Sequence, residues 1–260
     1  MINQYWAKRQ ARIQENLLKR SQYEINKRLT KYYQTAARRV IADFESTYNK
    51  LLADQAEGKT PTTADLYKLD KYWAMQGNLR QELRKLGEKQ VSLLTKYFEM
   101  SFFEIYYGLE IDGVEAFKTI DTEAARQLIN AVWVADGKTW SQRVWNNINT
   151  LTDMLNDKLA EIVVTGKKTT DLKNALQERF GVSYHRADTL VRTELCHIQT
   201  ESAKSRYDSY GIKYFEVLVD PDDRTCELCK KLIGKRFPVN GASPLPLHPN
   251  ERCTLVPVIE

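Results

Sequence analysis

Cysteine, histidine, proline and glycine are all scarce in this chain of 260 residues, at four, three, seven and eleven. So few cysteines, with no apolar leader in Met1-Ile-Asn-Gln-Tyr-Trp-Ala-Lys-Arg, argue against the disulfide framework of a secreted domain and for a chain made in a cytoplasm. No run approaches the roughly 18 consecutive apolar residues that span a bilayer, so no membrane partner is expected. Residues 4–53 contain neither proline nor glycine, which removes the usual helix breakers from a long stretch. Also missing are a Ser-His-Asp arrangement, a glycine-rich phosphate loop and a carboxylate cluster for divalent metals, so the chain is not expected to be an enzyme.

What is present suits a genuine core. Hydrophobic residues make up 42% of the chain and aromatic residues 10%, enough for one large domain or two ordinary ones. The net charge is +5 and unevenly spread. Residues 1–50 carry eleven basic side chains (Lys8, Arg9, Arg12, Lys19, Arg20, Lys27, Arg28, Lys31, Arg38, Arg39 and Lys50) against Glu15, Glu24, Asp43 and Glu45. The same stretch places Trp6, Ile13, Leu17, Leu29, Tyr33, Ala36, Val40, Phe44, Tyr48 and Leu51 mostly three or four apart, which predicts one long amphipathic helix or two with a break. The basic residues fall largely off that stripe. They form either an ordinary solvated face or a contact for phosphate or an acidic protein surface.

Gly58-Lys-Thr-Pro61-Thr-Thr predicts a turn, with Thr62 or Thr63 capping the next helix. That helix runs its stripe through Leu66, Leu69, Tyr72, Trp73, Leu79, Leu83, Leu86, Leu94, Phe98, Phe102 and Ile105, with possible bends at Gly77 and Gly87. The aromatic group Tyr97, Phe98, Phe102, Phe103, Tyr106 and Tyr107 reads as core or subunit contact in preference to a base-stacking platform. Asp112-Gly113 turns the chain, Asp121 or Thr122 starts a short helix to about Ala135, and Thr139 with Gln142 makes a capping box for the next. A brief helix carrying Leu172, Leu176 and Phe180 is expected to stop at Gly181, and another to run from about Tyr184 to Tyr210 with Gly211 as its C-cap. Strands are expected only in the last fifty or so residues, beginning with Ile212 to Val219. The expected fold is therefore mainly α, with long N-terminal helices and a small zinc-stabilised α+β segment at the C-terminus. The expected division is residues 1–135, basic and long-helical, and residues 136–260, ending in a zinc-binding segment at 220–257.

The soft ligands concentrate in that last segment. Two residues separate Cys226 from Cys229, eighteen follow, and four separate His248 from Cys253. Two short pairs of this kind can grip one tetrahedral ion from two sides. Cys226, Cys229, His248 and Cys253 are read as ligands of a structural Zn2+, whose filled shell leaves no place for a reactive water. Leu232-Ile-Gly234-Lys-Arg-Phe237 between them predicts a short hairpin, and Pro238, Pro244, Pro246 and Pro249 stiffen the path. A redox role for Cys226 and Cys229 is the other possibility, though it leaves His248 and Cys253 unexplained. Upstream, Arg192, Glu194, Cys196 and His197 lie close together on a predicted helix. Positions 192 and 196 share one face while 194 and 197 point elsewhere, so they do not form one converging set. Cys196 is expected to be a core thiol.

Arg192-Thr-Glu194, Tyr207-x2-Tyr210-Gly211, the strand through Tyr214-Phe-Glu-Val217, Asp223-Arg-Thr-Cys-x2-Cys229, Leu232-x-Gly-x-x-Phe237 and His248-Pro-x3-Cys253 together resemble the tailed-phage minor head proteins, the head morphogenesis family of the Mu F kind. The likeness extends back to about Trp133 through Trp140-Ser-Gln-Arg-Val-Trp145 and Val164-x-Gly166. It implies a minor capsid protein of the virion, made in the host bacterial cytoplasm. The partners it implies are the portal protein, major capsid and scaffold proteins and, through the basic N-terminal helices, double-stranded DNA. It also implies that Arg192 and Glu194 hold their helix against the strand and zinc segment. The ADP-ribosyltransferase module fused after similar domains in some relatives is not expected here. The alternative reading is a zinc-finger-type nuclease acting on DNA, with His185 or His197 left to activate water.

Overall fold

The structure, a computed structural model, describes residues 4–54, 70–111, 115–165, 168–219, 225–251 and 253–259. The expected turns at 58–63 and 112–113, Gly166 of the Val164-x-Gly166 stretch, the caps at Thr62 or Thr63, the stripe positions Leu66 and Leu69, and Asp220 to Arg224 lie outside them. The chain is mainly helical: α1 (Gln4–Asp54), α2 (Asp70–Gly108), α3 (Thr122–Ile129), α4 (Trp140–Thr165), α5 (Thr169–Ser209) and the single turn α6 (Glu227–Lys230). Strands β1 (Tyr214–Leu218), β2 (Arg236–Pro238) and β3 (Thr254–Pro257) form one sheet in the order β2-β1-β3.

Two compact units emerge, and each is drawn from several stretches of chain. One comprises Met1–Asn26, Leu93–Trp140 and Thr189–Glu260; the other comprises Lys27–Ser92 and Ser141–Asp188. The expected division at residue 135 is linear, whereas these units interleave because α1, α2 and α5 each contribute to both.

The second unit is all helix. Its core takes Tyr33, Val40, Phe44 and Tyr48 from α1, Leu79, Leu83 and Leu86 from α2, Ile148, Leu151, Leu155 and Leu159 from α4, and Leu172, Leu176 and Phe180 from α5. These are the three-and-four-spaced residues of each helix, and burial of a large aliphatic or aromatic side chain contributes about 1.5–3 kcal/mol. Trp73, on the expected stripe, is instead half exposed at the surface. Gly77 and Gly87 do not interrupt α2. A Cβ at Gly87 would lie 2.5 Å from the Trp145 ring, so this glycine is the recess that admits a tryptophan from α4. Nor does Gly181 end a helix: α5 runs unbroken from Thr169 to Ser209. An interior glycine costs a helix only about 1 kcal/mol, and the packing of Phe180 beside it and of Leu172 and Leu176 before it outweighs that.

The first unit carries the sheet. β1 is central and antiparallel to both neighbours, with Phe215 opposite Phe237 on one side and Pro257 on the other. The Phe215 and Phe237 rings stack at 5.7 Å, and Arg236 Nε pairs with Glu216 at 3.3 Å on the other face. Phe215, Val217 and Leu255 join Ile105, Leu109, Ala203 and Tyr207 in the core. All four residues of β3 are buried, and its edge is covered by helix side chains. Gln14 Nε2 donates to the Leu255 carbonyl at 2.9 Å, and Tyr207 Oη lies 2.9 Å from the same oxygen. Of the aromatic group in α2, Tyr97, Phe98, Phe102 and Tyr106 are buried while Tyr107 is exposed.

Candidate metal centre

The chain enters the candidate site from the end of α5. Gly211 has φ +71°, Ile212 N–H reaches back to Tyr207 O and Gly211 N–H to Asp208 O, which is the bonding pattern of a Schellman stop. The helix ends there and β1 begins three residues later. After β1 the described chain resumes at Thr225. Cys226 caps the turn α6, its Sγ accepting the Cys229 N–H at 3.4 Å, so both sulfurs of the Cys-x2-Cys pair come to one side of a tight turn. Gly234, at φ +72°, closes the following turn. The expected hairpin across it does not form, because residues 227–230 are helical and β2 pairs with β1 instead.

The loop from Val239 to Cys253 brings the second group of ligands. Asn250 sits in the left-handed region at φ 62°, which asparagine tolerates and which reverses the chain between His248 and Glu251. The His248 Nδ1–H donates to the Pro249 carbonyl at 2.9 Å, since a carbonyl can only accept. That fixes the tautomer and leaves the Nε2 lone pair for a ligand role. Cys253 stands immediately before β3.

These residues gather in two overlapping sets. Cys226 Sγ, Cys229 Sγ and His248 Nε2 lie 3.3–3.4 Å apart, and the donor atoms of Cys229, Glu251 and Cys253 form a second set whose members are all within 4.8 Å of one another. Cys229 belongs to both. A tetrahedral ion with bonds near 2.3 Å separates its ligands by roughly 3.8 Å, so the first set lies within a few tenths of an ångström of a metal-binding face. The donor chemistry is that of a borderline-soft divalent ion. Five protein donors for an ion that takes four leave no position for a substrate, which suits a structural centre.

The electrostatics separate the sulfurs. The Cys226 thiol is brought down to about 7, first by the Cys229 backbone N–H, which stabilises a thiolate. Burial pushes Cys229 strongly up, and pushes Cys253 up to about 12 with help from the Glu251 charge. His248 is raised, first by its bond to the Pro249 carbonyl. Cys196 is fully buried on α5, where burial, then the nearby charges of Glu251 and Cys229, raise its thiol.

Glu251 is the member that sequence reasoning missed. It is buried, its Oε1 is 3.3 Å from Cys229 Sγ, and its Oε2 accepts the Leu247 N–H. Its place between His248 and Cys253 was the available signal, obscured because glutamate in a loop is usually solvated. In the Arg-Thr-Glu stretch, Arg192 is exposed, while buried Glu194 accepts the Trp133 indole N–H at 3.0 Å. His197 stacks on the same indole at 4.6 Å and 14°. Glu194 and His197, three residues apart on α5, both meet Trp133, 61 residues before Glu194 in sequence, a contact that helical spacing could not reveal. His185 lies in the other unit, edge-on to Tyr184.

No helix among the described residues is long and apolar enough to cross a membrane. The chain matches no family model, and no curated protein or solved structure is similar to it.

Proposed function

We propose that this is a structural minor capsid protein of a tailed-phage head, associating with the portal and procapsid, in which Cys226, Cys229 and His248 hold a zinc ion that locks the last forty or so residues into a docking module. The observation that carries this is the Cys/His cluster gathered from the chain between β1 and β3, built from the same residues on which the resemblance to minor head proteins rests. A metal here substitutes for core: few large apolar side chains lie between Gly234 and Cys253, and a structural zinc contributes on the order of 10 kcal/mol to the folding of such a segment. The role is scaffolding rather than catalysis, because Glu251 and Cys253 stand beside those three and the five donors outnumber the four positions of a tetrahedral ion.

The basic face of α1 suits a polyanion or an acidic portal surface. Lys8, Arg9, Arg12, Lys19, Arg20, Lys27, Arg28, Lys31, Arg38 and Arg39 are all exposed, while the opposite face of the helix is core. Glu15, Glu104 and Glu82 already neutralise Lys19, Arg20 and Arg39.

Metal analysis of the purified chain beside Cys226→Ser tests the zinc. One equivalent, lost in the variant together with thermal stability, supports the reading. Cleavage of DNA only by the metal-loaded chain overturns it in favour of a nuclease. Retention of portal oligomers and of duplex DNA by the full chain tests the partners. Because α1 is part of both cores, charge reversal at Arg12, Arg28 and Lys31 is a cleaner probe than truncation. DNA binding that weakens steeply with salt and falls in that variant is expected; salt-insensitive binding would count against the basic face.

A further inference from the structure

Glu251 has no use in a centre made of three cysteines and a histidine, yet it is one of the most buried carboxylates in the chain, at 4% exposure. Its neighbours are the Cys229 thiol, the Leu247 N–H, and Cys253. Among the described residues no lysine or arginine pairs with it. A carboxylate removed from water with no cation beside it is unfavourable, and an ion at the centre is the cation at hand. Its distance of 3.3 Å from Cys229 Sγ matches the 3.4 Å that separates that sulfur from Cys226 Sγ and from His248 Nε2.

We propose that Glu251 is itself a ligand, filling through Oε1 the fourth position beside Cys226, Cys229 and His248, with Cys253 as a thiol behind the centre. The inference rests on the metal reading of the site given above. Two features favour the carboxylate over the third cysteine. Neither Glu251 nor Cys253 falls in the close set formed by Cys226, Cys229 and His248, so the fourth ligand has to be brought toward that set. Glu251 has three rotatable side-chain bonds and sits on the same loop as His248, to which its Oε2 is tied through the Leu247 N–H. Cys253 has one such bond and adjoins β3, whose Leu255 is pinned by Gln14 and Tyr207. Charge points the same way. Two thiolates, an imidazole and a carboxylate around a divalent cation leave one net negative charge; a third thiolate with the carboxylate still buried beside it leaves two. Such a set of two sulfurs, one nitrogen and one oxygen suits zinc and also accepts cobalt(II).

Cobalt(II) added to the metal-free full chain is the probe, since thiolate-to-cobalt charge-transfer absorption scales with the number of bound sulfurs. The wild-type chain is expected to report two thiolates, C253S to keep that intensity and the affinity, and E251Q to bind cobalt(II) and zinc at least about tenfold more weakly. A wild-type count of three thiolates, with one lost in C253S and affinity unchanged in E251Q, overturns the assignment of Glu251 while leaving a metal centre standing. Failure of the wild-type chain to bind either ion overturns both. The wild-type count needs no variant to fold, and helical circular dichroism checks that each variant does.

Discussion

At the scale of single residues, two glycines on α2 behave oppositely for reasons that only packing reveals. A Cβ at Gly87 meets the Trp145 ring at 2.5 Å, whereas one at Gly77 meets nothing within 4 Å. Gly87→Ala is expected to destabilise the chain by about 1–3 kcal/mol through overpacking, net of any gain in helix propensity. Gly77→Ala should stabilise it by about 0.5–1 kcal/mol. Chemical denaturation of both variants reads the two signs, and a stabilised Gly87→Ala would show that the tryptophan has room to retreat. Glu82 offers a residue-scale test by pH. Its carboxyl is held below the ordinary 4.5, chiefly by its bond to Lys85 and also by Arg39. A carboxyl lowered on folding adds stability that is present above its unfolded value and is lost as the pH falls through the folded one. The acid limb of the stability curve should therefore flatten slightly in Glu82→Gln, and an unchanged limb would mean these exposed pairs contribute nothing.

At the scale of elements, the junction of α5 with the sheet decides where the segment carrying the Cys/His cluster begins. Gly211, at φ +71°, was identifiable in sequence because a glycine after a helical pattern is a strong stop signal. Gly211→Ala forces a left-handed alanine and is expected to cost about 1 kcal/mol, read as a lower thermal midpoint. Strand β3 depends on partners with no local signature. The Leu255 carbonyl takes a bond from Gln14, 241 residues away, and lies beside the Tyr207 hydroxyl, so β3 is covered by two helices. Tyr207→Phe should cost about 1–2 kcal/mol and speed amide exchange in residues 254–257. Unchanged exchange there would show that Gln14 alone suffices. Gly181 shows the limit of punctuation in the sequence: the same residue type that stops α5 at 211, where φ is +71° and the chain turns into β1, keeps helical geometry at 181, where Phe180 and Ala187 of the one helix both enter the helical unit's core.

At the scale of the whole molecule, the two units differ in what stabilises them. The helical unit, Lys27–Ser92 with Ser141–Asp188, has an apolar core of its own; the segment after β1 packs Leu232, Val239, Leu245 and Leu255 into a core that also contains Cys229 and Cys253. Removing metal with a chelator is therefore expected to raise amide exchange across residues 226–258 by orders of magnitude while leaving α4 protected. Uniform exchange throughout would mean that the centre supports the entire fold, and no change would mean that it supports none.

The amino-acid order by itself determined which stretches are helical, though not that Gly181 lies inside one helix, since apolar spacing of three and four is a local property that survives any arrangement of neighbours. It also determined the stop at Gly211, the confinement of strands, among the described residues, to the C-terminal end, and the candidacy of Cys226, Cys229, His248 and Cys253, because paired soft ligands are rare enough to be conspicuous. Only the tertiary structure decided the interleaving of the units, the use of Gly87 as a recess, the meeting of Trp133 with Glu194 and His197, and the presence of Glu251 among the sulfurs. Those depend on contacts between residues distant in sequence. A buried carboxylate and a surface one are written with the same letter, and only the surroundings that exclude water distinguish them.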